Sequence, residues 1–167
     1  MNDYAATLMA RYRQRGLLLD ANLLLLFFIG SYDRELIPRL PRLDNFTQGD
    51  YDRIADIVGY FSKTITTPNI LTEVSNLSTT AISRNLYETY LPHFATGIQL
   101  LVEEYVPSSA AAQIPIFNRL ALTDAGIEQV ARGKYLVMTI DLDLYLHLEA
   151  QGIGVVNYNH IRDLVWR

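Results

Sequence analysis

The sequence predicts an α/β fold of three layers, with helices on both faces of a central, mainly parallel sheet. Short apolar runs of strand length alternate with longer segments of helical periodicity, the pattern of a parallel sheet with crossover helices. Two of these runs end directly at or beside an aspartate, Asp20 and Asp141. Ligands of such sheets bind beyond the carboxyl ends of the strands. The two aspartates are therefore the first functional candidates.

Length and composition favour one domain over residues 1–167. The chain has 167 residues, of which 50% are hydrophobic and 19% charged, enough apolar material for a core and too much for a disordered chain. Its net charge of −4 gives no general attraction for nucleic acid. The absence of Cys excludes disulfides and thiolate metal sites. The longest apolar stretch, 17–30, contains Asp20 and Asn22 and is short for a membrane span, so we expect a soluble, cytoplasmic protein without a membrane partner.

The first unit of the chain reads as helix, strand, acid and helix. Apolar residues at helical spacing predict an amphipathic helix over 3–15, ended by Gly16. Residues 17–19 form the pattern of a buried strand, stopped by Asp20. From Asn22 the apolar run lacks β-branched residues until Ile29, which favours a helix up to Gly30.

The next segment, 31–66, is expected to be a helical insertion. Its first part is rich in Pro and Arg and predicts a loop or a broken helix up to 46. Thr47 is a predicted N-cap with Asp50 as the acid of a capping box, followed by a helical stripe that reaches Phe61. A β-branched strand is predicted at 65–66. Together with the N-terminal helix over 1–15, this insertion enlarges the predicted domain.

The middle of the chain is predicted to be mainly helical. Thr67 and Pro68 open a helix that carries Glu73, with Pro at the first helical position. Residues 80–104 read as one long helix bent near Pro92, and the stretch from Val106 to the next helix is ambiguous.

The C-terminal part returns to alternating helices and strands. Thr123 is predicted to cap a helix that begins with Asp124 and ends at Gly133. A strand at 135–138 follows, then a helix over 142–151 and a last strand at 154–156.

Four acids are expected to lie together at the carboxyl edge of the predicted sheet. Asp20, Asp124 and Asp141 each have a structural interpretation as helix caps or dipole partners, and Glu73 can be a solvated helix residue. If they share one space, their mutual repulsion raises their pKa values unless a cation neutralises them. Oxygen ligands suit Mg²⁺ or Mn²⁺, and such an ion serves phosphodiester hydrolysis.

The four segments that carry these acids resemble, in order, the motifs of PIN domains, in particular the virulence-associated protein C-like ribonucleases. The segments are LLLDAN, TPNILTEVSNL, LALTDAGI and LVMTIDLDLYLHLEAQGIGVVNYNHI, and the resemblance covers roughly residues 16 to 160. Two features depart from the compact members of the family: the longer segment 31–66 and the N-terminal helix. In addition, the strand that usually precedes the third motif is not visible around 114–122.

The resemblance implies a Mg²⁺- or Mn²⁺-dependent endoribonuclease acting on single-stranded RNA, and the toxin of a toxin–antitoxin pair with an antitoxin protein as its partner. It implies that Asp20, Glu73, Asp124 and Asp141 are catalytic and bind metal. Asp143 matches a further metal-binding acid, and Asn22 and Thr139 match residues that orient the carboxylates. The apolar surplus also favours a homodimer.

Two other classes of function stay open at this point. One is a non-catalytic PIN-like interaction module. The other is a phospho-receiver domain, which needs a Lys near its acids after a late strand, whereas the only lysines are Lys63 and Lys134. Surface or core roles are expected for the histidines, His93, His147 and His160. Six arginines either flank a substrate groove or are solvated charges: Arg11, Arg13, Arg15, Arg34, Arg39 and Arg42.

Overall fold

A computed structural model describes residues 3–162 of the chain. Its centre is a five-stranded sheet in the order β3-β2-β1-β4-β5, and every neighbouring pair of strands is parallel. Helices flank the sheet, which confirms the predicted three-layer α/β/α fold. The strands are β1 Leu17–Leu19, β2 Thr64–Thr66, β3 Val102–Glu103, β4 Leu136–Thr139 and β5 Val155–Asn157.

Eight α-helices and three 3₁₀ helices connect the strands within residues 3–162. The α-helices are α1 Asp3–Tyr12, α2 Ala21–Tyr32, α3 Gln48–Tyr60, α4 Pro68–Ala81, α5 Tyr87–Ile98, α6 Ser108–Ala111, α7 Phe117–Ala131 and α8 Leu142–Ala150. The 3₁₀ helices are Arg34–Arg39, Arg84–Leu86 and Tyr158–His160. None of the helices in this part of the chain combines the length and hydropathy needed to cross a bilayer.

The core is one continuous cluster that includes residues of β1, β2, β4 and β5 and most of α2. All three residues of β1 are fully buried, because this strand lies between β2 and β4. Helix α2 is apolar on nearly all sides and packs against α3, α4 and α5, which explains why its sequence shows no polar face. The N-terminal helix belongs to the same core, since Ala5, Leu8 and Met9 are buried in it.

Two predicted helix starts are confirmed by their hydrogen bonds. The Thr47 hydroxyl accepts from the backbone N–H of Asp50, and Asp50 Oδ2 accepts from the backbone N–H of Thr47, which is a complete capping box. Thr67 caps α4 through the N–H of Ile70, with Pro68 at the first helical position.

The predicted helix over 80–104 is wrong at both ends. Helix α4 continues to Ala81, α5 covers only Tyr87–Ile98, and Val102–Glu103 is the edge strand β3. Both residues of β3 are exposed and pair with β2 on one side only, so neither an apolar run nor an alternating pattern marks this strand. β3 is the strand that precedes the third acid-bearing segment. The stretch 114–122, where no strand was visible in the sequence, contains the start of α7.

Candidate functional site

The four predicted acids line one cleft at the carboxyl edge of the sheet. The cleft has a volume of about 260 Å³. Asp20 directly follows β1, Asp141 follows β4 by two residues, Glu73 lies in the second turn of α4 after β2, and Asp124 lies in α7. The fold therefore brings together residues that are far apart in sequence; Asp20 and Asp141 are separated by 121 positions.

Asp20 is buried, and its carboxylate joins three elements. Oδ1 accepts a hydrogen bond of 2.8 Å from the backbone N–H of Leu23 and so caps α2. Oδ2 accepts from the hydroxyl of Thr139 and, at 3.0 Å, from the backbone N–H of Ile140. Burial raises the pKa of Asp20, and these three hydrogen bonds oppose that rise. Asp20 is thus both a helix cap and a wall of the cleft.

Thr139 connects the two aspartates that follow strands. Its hydroxyl donates to Asp20 Oδ2 and accepts, at 2.9 Å, from the backbone N–H of Asp141. Thr139 is fully buried at the end of β4, so its rotamer is fixed by packing as well as by these bonds. The contact is of the kind expected of a residue that orients a carboxylate.

Asp141 caps α8 with one of its two oxygens. Oδ1 accepts from the backbone N–H groups of Asp143 and Leu144, at 2.8 and 3.0 Å. No residue of the described chain donates a hydrogen bond to Oδ2, and the side chain is exposed to the cleft. This second oxygen can therefore bind a ligand without loss of the cap.

Asp124 sits just after a break in α7. The backbone of Ala121 has φ 65° and ψ −162°, which divides the helix, and Asp124 lies in the first turn of the second segment. The predicted helix start at this point is therefore close to the observed break. Burial, and after it the negative charges of Asp141, Asp20 and Glu73 in that order, together raise the pKa of Asp124 to about 7. The four acids are thus near enough to repel one another.

Glu73 lies at the border between core and solvent. Its neighbours Leu71 and Val74 are buried in the core, whereas Glu73 is half-buried and lines the cleft. None of the hydrogen bonds or ion pairs within residues 3–162 involves its carboxylate. Its carboxylate is therefore available to a ligand of the cleft.

Asp143 and Asn22 differ from the roles predicted for them. Asp143 is exposed and does not line the cleft; its backbone carbonyl accepts a hydrogen bond from Arg119 at 3.2 Å. Asn22 does line the cleft, but its Oδ1 accepts from Arg42 Nε at 3.1 Å and contacts no carboxylate. The structure thus places Asn22 beside a cation. The apolar residues of the lining were not identified from the sequence; they are Ala21, Leu120, Ala121 and Leu144.

The other candidate side chains lie mostly elsewhere. No His and no Lys of the described residues lines the cleft: His93 contacts Ser31, His147 contacts Glu128 and His160 packs against Tyr145. The absence of a Lys there disfavours the phospho-receiver alternative. Of the six arginines, only Arg42 lines the cleft, while Arg34 pairs with Asp52 and Arg39 with Glu35.

The donor set of the cleft suits a hard divalent cation. Its acidic side chains are all carboxylates, the oxygen ligands that Mg²⁺ and Mn²⁺ prefer, and their mutual repulsion contributes to the raised pKa of Asp124. Within residues 3–162, no three His, Asp or Glu side chains are arranged as a ready-made ligand set. Mg²⁺ commonly binds through one or two carboxylates and keeps several waters.

Comparison of the chain with protein-family models, with curated proteins and with solved structures gives no match.

Proposed function

We propose that the chain is a Mg²⁺- or Mn²⁺-dependent endoribonuclease of the PIN type. The observation that carries this proposal is the convergence of Asp20, Glu73, Asp124 and Asp141 in one cleft at the carboxyl edge of a parallel sheet. The order of the four acid-bearing motifs, their resemblance to those of PIN domains and the all-parallel sheet support the same proposal.

The proposed division of work follows from the contacts of each acid. Asp141 Oδ2 and Glu73 are free to bind the ion, whereas the carboxyl group of Asp20 is held in place beside it by three hydrogen bonds. Asp124 becomes a full carboxylate at neutral pH once a cation offsets its neighbours. When bound, Mg²⁺ or Mn²⁺ activates water and stabilises the charge that develops on the phosphate.

The direct test is cleavage of single-stranded RNA by the purified chain in Mg²⁺ or Mn²⁺, with and without chelator. Asp141→Asn and Asp124→Asn should each lower the rate by about two orders of magnitude or more, because each removes a charge that holds the ion. Both side chains keep their volume in these variants. Asp20→Asn is a poorer test, because in either orientation its NH₂ group faces a donor: Leu23 N–H on one side, or Thr139 and Ile140 on the other.

The matched control is Asp56→Asn, an exposed acid on α3 that does not line the cleft, and it should cleave at the wild-type rate. Circular dichroism and thermal melting confirm that each variant is folded. Wild-type rates in a folded Asp141→Asn and a folded Asp124→Asn would refute the assigned roles. Ion binding without any RNA cleavage would favour the non-catalytic PIN-like module instead.

The biological setting stays a prediction. A toxin role, an antitoxin partner, a homodimer and a cytoplasmic location were expected from the sequence and from the family resemblance. The gene beside this one is the simplest observation to make, since a small DNA-binding antitoxin encoded there would favour the toxin role.

A further inference from the structure

Arg42 is the one basic residue in the described part of the chain that lines the acidic cleft. Its guanidinium donates to Asn22 Oδ1 at 3.1 Å and forms no ion pair with a carboxylate of residues 3–162, although four acids line the same cleft. By contrast, Arg34, Arg39 and Arg162 are paired with Asp or Glu. The Asn22 amide can only accept from Arg, so it orients the cation without neutralising it.

The turn that carries Arg42 is fixed by the core. Its neighbours Leu40 and Leu43 are buried, and so is Phe46. The backbone N–H of Leu43 donates to Leu40 at 2.8 Å, and that of Phe46 donates to Leu43 at 2.9 Å. Arg42 is therefore exposed on a rigid support. This turn belongs to the segment 31–66, whose length departs from compact PIN domains.

Two further pockets extend the cleft in different directions. One, of about 320 Å³, shares Asn22 and Arg42 with it and is otherwise lined by Pro41, Asp44, Asn45 and Ile140. The other, of about 330 Å³, shares Glu73 and Thr123 with it and lies between α4 and α7. These two outer pockets share no residue, so the three form a continuous series with the acids in the middle.

The outer pockets carry side chains suited to nucleotides. Besides Arg42, the first has two Asn side chains and the flat apolar surfaces of Pro41 and Ile140. In the second, Asn69, Thr72 and Asn76 are on one face of α4. Amide and hydroxyl groups hydrogen-bond to bases and sugars, and an unpaired guanidinium is the preferred partner of a phosphate.

We propose that a single RNA strand lies along these three pockets, that Arg42 binds a backbone phosphate on one side of the acids, and that the α4–α7 pocket binds nucleotides on the other side. This strand path rests on the proposed function for the identity of the ligand. In this arrangement the segment 31–66 places the guanidinium of Arg42 in a cleft whose acids would otherwise repel a polyanion.

The test is binding of a fluorescent single-stranded RNA oligonucleotide in Ca²⁺, measured by anisotropy at several salt concentrations, with the RNA checked for integrity on a gel. Arg42→Ala should weaken binding about 10-fold and lower the slope of log affinity against log salt by about 0.7, the value for one lost phosphate contact on a single strand. Arg42→Lys should keep the slope but recover only part of the affinity, because Lys lacks the forked donors.

Each variant has a matched control. Arg39→Ala removes an exposed Arg of the same segment that is paired with Glu35, and it should bind as the wild type does. For the far pocket, Asn76→Asp adds a negative charge and should weaken binding. Asn85→Asp adds the same charge at an exposed site outside the three pockets and should leave binding unchanged.

Wild-type affinity in either folded Arg42→Ala or folded Asn76→Asp overturns the strand path, as does a wild-type chain that does not bind the RNA. Two further outcomes distinguish a failure of the proposed nuclease function from a failure of the strand path. RNA bound through Arg42 but not cleaved in Mg²⁺ or Mn²⁺ refutes the nuclease and leaves the path standing. RNA cleaved by the wild type, with normal binding and cleavage by Arg42→Ala, refutes the path and leaves the nuclease standing.

Discussion

At the scale of single residues, two acids of the cleft combine a structural role with exposure of the carboxyl group to a candidate ligand site. Asp20 and Asp141 were open to two interpretations, as helix caps or as site residues, and the structure shows that both cap a helix while both line the cleft. A carboxylate has two oxygens and about four acceptor positions, so a cap does not exhaust it. Each aspartate caps through Oδ1; Oδ2 of Asp20 accepts from Thr139 and Ile140, whereas Oδ2 of Asp141 has no donor among the described residues.

Asp124 gives a pH-dependent prediction. Its pKa in the folded chain is about 7 against an ordinary value of 3.8, so between these pH values the folded state binds a proton that the unfolded state has lost. In metal-free buffer, this group's stabilising contribution is complete below pH 3.8 and is lost as the pH rises to about 7. The buried Asp20 acts in the same direction. Asp50, whose pKa is lowered, acts in the opposite direction and below 3.8.

We therefore expect the free energy of unfolding of the wild type in EDTA, measured by urea titration, to fall between pH 5 and pH 8. For Asp124→Asn, the free energy of unfolding should fall less over this range, so that the variant is more stable than the wild type at pH 8. Mg²⁺ at pH 8 should stabilise the wild type more than Asp124→Asn, because the ion offsets the repulsion. A variant with the same pH profile as the wild type would show that Asp124 does not titrate in this range.

At the scale of secondary-structure elements, the buried strands and the capped helices could be predicted from the sequence, whereas the edge strand of the sheet could not. The buried strand β1 and the cap residues Thr47 and Thr67 could be placed because apolar runs and capping side chains are local signals. The edge strand β3 could not, because its two residues are exposed and its pairing with β2 is a long-range contact.

The same distinction applies to the site. Its acids follow strands or begin helices and were visible in the sequence, whereas the pairing of Asn22 with Arg42 depends on a turn in the segment 31–66 whose path no local pattern reveals. The position of Asp143 outside the cleft likewise depends on the orientation of the first turn of α8, which Asp141 fixes by capping.

The packing of α2 against α3 can be tested with a pair of glycines. A Cβ on Gly30 would lie 2.2 Å from Cδ2 of the Tyr51 ring, whereas a Cβ on Gly59 would meet nothing within 4 Å. Both glycines are in helices, where Ala is favoured by up to about 1 kcal/mol. Gly59→Ala should be neutral or stabilising, and Gly30→Ala should destabilise by about 1–3 kcal/mol through overpacking. Urea unfolding measures both, and equal effects would show that α2 and α3 are less closely packed than described.

At the scale of the whole molecule, a chain of net charge −4 concentrates four acids at the edge of its sheet. Such an arrangement opposes the binding of nucleic acid unless cations are placed in it. We propose two such cations: a divalent ion among the carboxylates and the guanidinium of Arg42.

The central claim is that one ion is shared by acids from four distant stretches of the chain. It is tested most directly by anomalous diffraction from crystals of the protein soaked in Mn²⁺. We expect an anomalous peak in the cleft, in contact with Asp141 and Glu73 and close to Asp124 and Asp20, that is absent from crystals of Asp141→Asn. A cleft without a peak at saturating Mn²⁺, or a peak bound by other residues only, would contradict it.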